Sequence, residues 1–187
     1  MVKIGFICEG ETEKIIVESE NFQQFLLQNN FEFVNAIDAT GNGNLLPKNI
    51  QPFIKILKDD GAEIIFILTD LDIDKCITNT KERINAPDDI TVIISVHQIE
   101  AWFLADSITL SSLFKSNYIF NHPEKENYPR EKLKEIFIDK TGRGIGESKP
   151  GFAKRIIKQG FSLLNAAQHP DCNSATYFVE KIKSKKK

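Results

Sequence analysis

The chain has 187 residues, of which 41% are hydrophobic and 27% charged, with a formal net charge of −2. That length suits one domain with a real core, and the balance excludes a fibre, a disordered polymer and a disulfide scaffold. The near-neutral charge also sets the chain apart from simple DNA-binding modules, which neutralise phosphates with a basic excess.

No apolar run approaches the roughly 18–20 residues needed to span a bilayer. The opening Met1-Val2-Lys3-Ile4-Gly5-Phe6 goes straight into a strand pattern rather than a signal peptide. A cytoplasmic chain with no membrane partner is expected. Cys8, Cys76 and Cys172 are scattered and odd in number, in neither a zinc pattern nor a disulfide framework. All three are expected to be free packing residues, since free cysteine behaves as a small buried hydrophobe.

The first hundred residues alternate strand and helix signals. Lys3 to Cys8 is a short apolar run ending at Glu9-Gly10, and predicts a buried strand. From Thr12 to Gln28 the residues Ile15, Ile16, Ser19, Phe22 and Leu26 recur at helical spacing, predicting one helix with acidic residues at its start. Phe31 to Ile37 alternates like a second strand, and Ala39 to Asn44 reads as a loop. A helix is expected from near Asn49 to Asp59, with Pro52 in its first turn and Gly61 just past its end. Glu63 to Thr69 is the continuous apolar run of a central parallel strand. It delivers the chain to Asp70-Leu71-Asp72-Ile73-Asp74. A polar helix over Lys75–Ile84, a strand over Ile90–Val96 and a helix beginning at Ile99 follow.

This alternation implies right-handed crossovers and a mostly parallel four-stranded sheet flanked by helices. Beyond Asp106 the strand signal fades. Helices are expected near Leu110–Phe114, Arg130–Asp139, Gly151–Ile157 and Ala175–Ile182. The expected organisation is an α/β core over 1–106 and a helical extension over 107–187 packed on it.

In a parallel sheet the residues that follow each strand gather at one edge, where ligands bind. The first strand leads to Glu9, with Glu11 and Glu13 close behind. The third leads to Asp70, Asp72 and Asp74, and the fourth to Glu100. Like charges gathered together need something positive among them. Mg²⁺ (or Mn²⁺) prefers carboxylate oxygen, with water and substrate phosphate completing its shell. If Asp70-Leu71-Asp72 is extended, its two carboxylates share one side while Leu71 turns to the core. Glu9 then stands as a further ligand or as a general acid–base. Individually, Glu11, Glu13 and Asp74 also fit helix caps or solvated residues.

Cys8-Glu9-Gly10-Glu11-Thr12-Glu13 after a first strand resembles the first motif of Toprim domains, and Asp70-Leu71-Asp72 resembles their D-x-D motif. The resemblance covers roughly the first 105 residues. It implies a small Rossmann-like α/β fold and a Mg²⁺ site of Glu9, Asp70 and Asp72. His97 to Asp106, with Lys149 to Ala153 and Cys172 to Phe178, is similar to a narrower branch: small stand-alone Toprim-like proteins of prokaryotic defence loci, some encoded beside an ATPase. The expected function is therefore a Mg²⁺-dependent nuclease or related phosphodiester phosphotransfer on DNA or RNA, in phage defence with a separate ATPase. In that scheme Glu9, Asp70, Asp72 and Glu100 are the catalytic set. The alternative is a non-catalytic Toprim-like module that binds nucleic acid or a partner protein. The near-neutral charge favours it, as does Ile73-Asp74-Lys75-Cys76 where many Toprim domains carry a glycine. A small-nucleotide phosphoesterase is a third possibility.

Neither Gly41-Asn42-Gly43-Asn44 nor Gly142 to Gly146 has the G-K-[ST] ending of a P-loop, so any ATPase is a separate chain. The second loop lies in sequence among Arg143, Lys149, Lys154 and Arg155, candidate contacts to a nucleic-acid backbone. The tail Lys181, Lys183, Lys185, Lys186 and Lys187 is a further basic patch or a solvated terminus. His97 reads as a proton carrier or a structural donor, and His122 and His169 as turn residues. Trp102 and Phe103 are expected in the core, and Ser174 as a helix N-cap.

Overall fold

The computed structural model describes residues 1–72 and 74–185. The chain is an α/β protein with a four-stranded parallel sheet flanked by helices and a helical C-terminal region. It forms two compact units, Met1–Ile94 and Ser95–Lys185. Among the described residues no helix is long and apolar enough to cross a membrane.

The first unit runs β1 (Val2–Cys8), α1 (Glu11–Val17), α2 (Glu20–Gln28), β2 (Phe31–Asp38), α3 (Pro47–Asp59), β3 (Ile64–Asp70), α4 (Ile77–Ile84) and β4, which extends from Ile90 to Ser95. The strand order is β2-β1-β3-β4, so β1 and β3 lie side by side at the centre. Phe6 stands opposite Phe66, and Ile7 opposite Ile67. Successive side chains of a strand face opposite ways, and here both faces are buried. Ile7, Ile65 and Ile67 join Ile50, Ile54 and Leu57 of α3 on one side. Phe6 meets Phe22, Phe33 and Phe66 at ring-centroid distances of 5.6, 6.1 and 5.8 Å. Burial on two faces is what gives β1 and β3 their unbroken apolar runs. At Gly5 a Cβ would come within 3.0 Å of a Leu57 methyl, so the glycine lets α3 lie close on β1.

Several boundaries differ from those expected. The single helix over Thr12–Gln28 is two, broken at Glu18-Ser19. Ser19 is extended, donates its hydroxyl to the Ile16 carbonyl at 2.7 Å and accepts the Phe22 N–H at 3.4 Å. It thus ends one helix and starts the next, while the apolar spacing runs on across the break. The residues after Gly41 form a 3₁₀ turn, Asn42–Leu45, rather than an open loop. The third helix begins at Pro47, so Pro52 stands in its second turn rather than its first, without an N–H to offer Lys48.

The second unit contains α5 (Glu100–Ala105), α6 (Ser107–Phe114), α7 (Pro129–Thr141), α8 (Lys149–Lys158), α9 (Leu163–Ala166) and α10 (Asn173–Ser184). The short α9 had no expectation of its own. Trp102 and Phe103 are fully buried, as expected of core residues. Phe103 meets Phe161 edge-on at 4.7 Å, and the Trp102 indole N–H donates to Ser174 Oγ at 2.7 Å. Ser174 is not the N-cap of α10. That position is Cys172, and Glu124 instead accepts the N–H groups of Asn173 and Ser174 at 3.0 and 2.8 Å. A carboxylate brought from elsewhere in the unit does the capping. Asp106, also fully buried, accepts from Thr109 N–H, Ser162 N–H and the Asn165 amide at 2.9, 3.0 and 3.3 Å. Among the cysteines Cys8 and Cys172 are buried and free, whereas Cys76 is exposed. Its position just before α4 lies outside either apolar core.

Candidate functional site

In the first unit, β1 and β3 end beside one another and carry Glu9 and Asp70 to the same edge. The Glu9 N–H donates to the Leu68 carbonyl at 2.9 Å, and its own carbonyl accepts from Gly41 at 2.7 Å. With its backbone tied on both sides, Glu9 turns its carboxylate onto the end of β3. Oε2 accepts the Thr69 hydroxyl and, at 3.2 Å, the Asp70 N–H. Asp70 is buried as the last residue of β3.

The expectation that Asp70-Leu71-Asp72 stays extended is corrected here. β3 stops at Asp70, and Asp72 adopts φ +46°, the left-handed region that aspartate tolerates better than most residues. Asp72 is exposed, while Leu71 packs against the core as expected. A left-handed residue turns the chain, so alternation no longer places the two carboxylates on one side. Asp74 is drawn back onto α4, accepting from Thr80 Oγ1 at 2.9 Å and from Arg83 at 3.0 and 3.1 Å. The Thr80 hydrogen bond and the Arg83 guanidinium hold its carboxyl below the usual aspartate range, against the opposing effect of burial. Glu13 returns its carboxylate to the Gly10 N–H at 3.1 Å and is a capping-box residue. Among the described residues no three histidine, cysteine, aspartate or glutamate side chains are gathered closely enough to hold a metal ion.

The second unit holds Glu100, 1% exposed in the first turn of α5. Two cations flank it: Arg130 Nη1 at 3.7 Å from Oε1, and Lys149 Nζ at 3.6 Å from Oε2. Both distances exceed a hydrogen bond, and Glu100 Oε2 and Arg130 Nη1 are buried without a hydrogen-bond partner. Arg130 also reaches the carbonyls of Gly146 and Glu147, joining α7 to the glycine-rich segment ahead of α8. Of the other expected cations, Arg155 donates to the Gly144 carbonyl at 3.2 Å and lies over the Phe152 ring. Arg143 and Lys154 are exposed. Lys181 lies over the Tyr177 ring at 5.2 Å, and Lys186 and Lys187 lie outside the described residues.

Sequence reasoning therefore paired Glu9 with Asp70 but missed Thr69, whose hydroxyl immediately precedes the acidic pair. It placed Lys149 on a phosphate path, without its partner Glu100. Arg130 gave no local signal, because its relation to Glu100 exists only through the fold.

Comparison of this chain with family models, with curated proteins and with solved structures finds no match.

Proposed function

We propose that this chain is a Mg²⁺- or Mn²⁺-dependent nuclease or related phosphodiester phosphotransfer domain of the Toprim type. It acts on DNA or RNA, in phage defence, beside a separately encoded ATPase. The observation that carries the reading is the meeting of Glu9 with Thr69 and Asp70 at the carboxyl ends of adjacent parallel strands. Such strand ends are where sheets of this kind bind ligands.

The donor chemistry fits a hard divalent cation, which commonly takes one or two protein carboxylates and leaves its other positions to water and substrate phosphate. Glu9 and Asp70 would supply that pair, with Asp72 two residues further on. When bound, the ion would neutralise charge on a phosphoryl oxygen and lower the pKa of a water. Thr69 and the Asp70 N–H both engage Glu9 Oε2. They hold the carboxylate so that Oε1 is the atom left either to ligate the ion or, in its place, to accept a proton from the attacking group. In the second unit Glu100 positions Arg130 and Lys149, which with Arg143, Lys154 and Arg155 would hold phosphates of the backbone.

A second reading, a non-catalytic module that binds nucleic acid or a partner protein, is favoured by one observation. Among the described residues no three metal-binding side chains converge.

Calorimetric titration with Mg²⁺ and Mn²⁺, in the presence of a non-cleavable oligonucleotide, tests the choice. Binding by the wild type that is lost in the Asp70→Ala, Asp72→Ala double variant supports the metal-dependent reading. Oligonucleotide binding that is indifferent to metal and to the double substitution supports the module.

A further inference from the structure

The second unit contains a cavity of about 320 Å³, at the lower end of the range for small-ligand sites. Its walls include Ile108 and Ile119, large side chains left 57% and 59% exposed. The lining also includes Asn121, Asn165 and Gln168, which carry carboxamides, and His169, which carries an imidazole. Apart from that imidazole, no side chain lining the cavity can carry a charge.

His169 supplies the second observation. It is 7% exposed, and its Nδ1 accepts the Asp171 N–H at 3.1 Å. A ring nitrogen that accepts carries no proton, so the proton is on Nε2. That N–H donor is buried without a hydrogen-bond partner, an arrangement that is costly unless an acceptor meets it. The residue that donates to this ring is itself anchored, since the Asp171 carboxylate meets His122 Nδ1 at 2.6 Å. Asn165 is also oriented: it gives its amide N–H to the buried Asp106 at 3.3 Å, which leaves its oxygen to accept.

A ligand suited to this cavity is uncharged where it enters, apolar enough to contact two isoleucines, and edged with both donors and acceptors. Proteins hold an unstacked nucleobase in this way, with apolar side chains on its faces and hydrogen bonds to its edge. Carboxamides match such edges because each offers a donor beside an acceptor. We infer that the cavity bounded by Ile108, Ile119, Gln168 and His169 is a nucleobase-binding site. It goes beyond the phosphodiester chemistry proposed above and requires no metal. The base belongs either to a free nucleotide or to a single strand, and the chemistry of recognition is the same for both.

The test is titration of the full chain, with chelator present throughout, against AMP, GMP, CMP, UMP and ribose 5-phosphate. A short single-stranded oligonucleotide and its abasic counterpart complete the set. At least one base-bearing ligand binds saturably and shifts the ¹⁵N signals of the His169 ring, whereas ribose 5-phosphate and the abasic strand do not bind there. Binding of mononucleotides assigns a free nucleotide, and binding of the oligonucleotide alone assigns a base in a strand. Asn121 and Gln168 are exposed, so Asn121→Leu and Gln168→Leu spare the fold and each weaken binding about tenfold. The inference is overturned if no base-bearing ligand binds, if the base-free ligands bind equally well, or if both variants bind like the wild type. Because metal is excluded, a failure of metal-dependent cleavage leaves this result untouched.

Discussion

The carboxylate of Glu9 accepts the main-chain N–H of Asp70 at 3.2 Å, so a residue just past β1 holds the last residue of β3. The same oxygen takes the Thr69 hydroxyl. Together these bonds close the central strand pair at the edge where the carboxylates lie. Thr69→Val removes the hydroxyl while preserving shape, and is expected to destabilise the protein by about 1–2 kcal/mol. Glu9→Ala, which also leaves the Asp70 N–H without its acceptor, is expected to cost more. Urea unfolding monitored by circular dichroism measures both, and unchanged midpoints would show that the pairing contributes nothing.

Glu100, Arg130 and Lys149 form a charged group around a carboxylate that is almost wholly buried. Removing one partner of such a group leaves the other charge uncompensated. Glu100→Ala is expected to destabilise by about 3 kcal/mol, most of it through Arg130. The contribution of Lys149, whose side chain is 39% exposed, is small because solvent screens it. Replacing both charges together, with Glu100→Leu and Arg130→Met, costs less than Glu100→Ala alone. A double-mutant cycle on unfolding free energies decides it, and additive losses would deny the coupling.

How much of this was legible in the sequence depended on whether the physics was local. The central strands were legible because burial on both faces demands unbroken apolar runs such as Ile64-Ile65-Phe66-Ile67-Leu68. The adjacency of Glu9 and Asp70 followed from parallel topology. The break at Ser19 was not legible, because Ile16 and Phe22 keep helical spacing across it while a hydroxyl ends one helix and caps the next. Nor was the turn at Asp72, since a positive φ at a non-glycine residue leaves no mark in apolar patterning. Arg130 and Lys149 reach Glu100 only when α5, α7 and α8 come together, and no spacing rule links them.

Asp74 gives the first unit an acid-sensitive element. Its folded-state pKa lies below the ordinary value of 3.8, first through the Thr80 hydrogen bond and then through Arg83, with burial opposing. A depressed carboxyl pKa contributes stability above the unfolded value and loses it as pH falls through the folded one. The wild type is therefore expected to lose stability below pH about 4 more steeply than Asp74→Asn. Parallel acid-limb profiles of unfolding free energy would remove Asp74 from the account.

The three thiols are expected to separate by reactivity. Cys76 is exposed. Burial raises the pKa of Cys8, reinforced by Glu13, Glu18 and Asp38 and opposed by Lys14, and burial likewise raises that of Cys172. Only thiolate attacks a disulfide reagent, so one thiol reacts quickly in native protein and the other two follow unfolding. Reaction stoichiometry with and without denaturant reports this, and loss of the fast phase in Cys76→Ser assigns it. Fast reaction of two or three thiols in native protein would contradict the burial of Cys8 and Cys172.

The most direct measurement of the central claim is cleavage of labelled single- and double-stranded DNA and RNA by purified wild type and Asp70→Ala, with Mg²⁺, Mn²⁺ or chelator. The proposed function predicts cleavage of at least one substrate that requires the divalent ion and falls to background in Asp70→Ala. Cleavage that survives in Asp70→Ala, or no cleavage of any substrate with either ion, would contradict it.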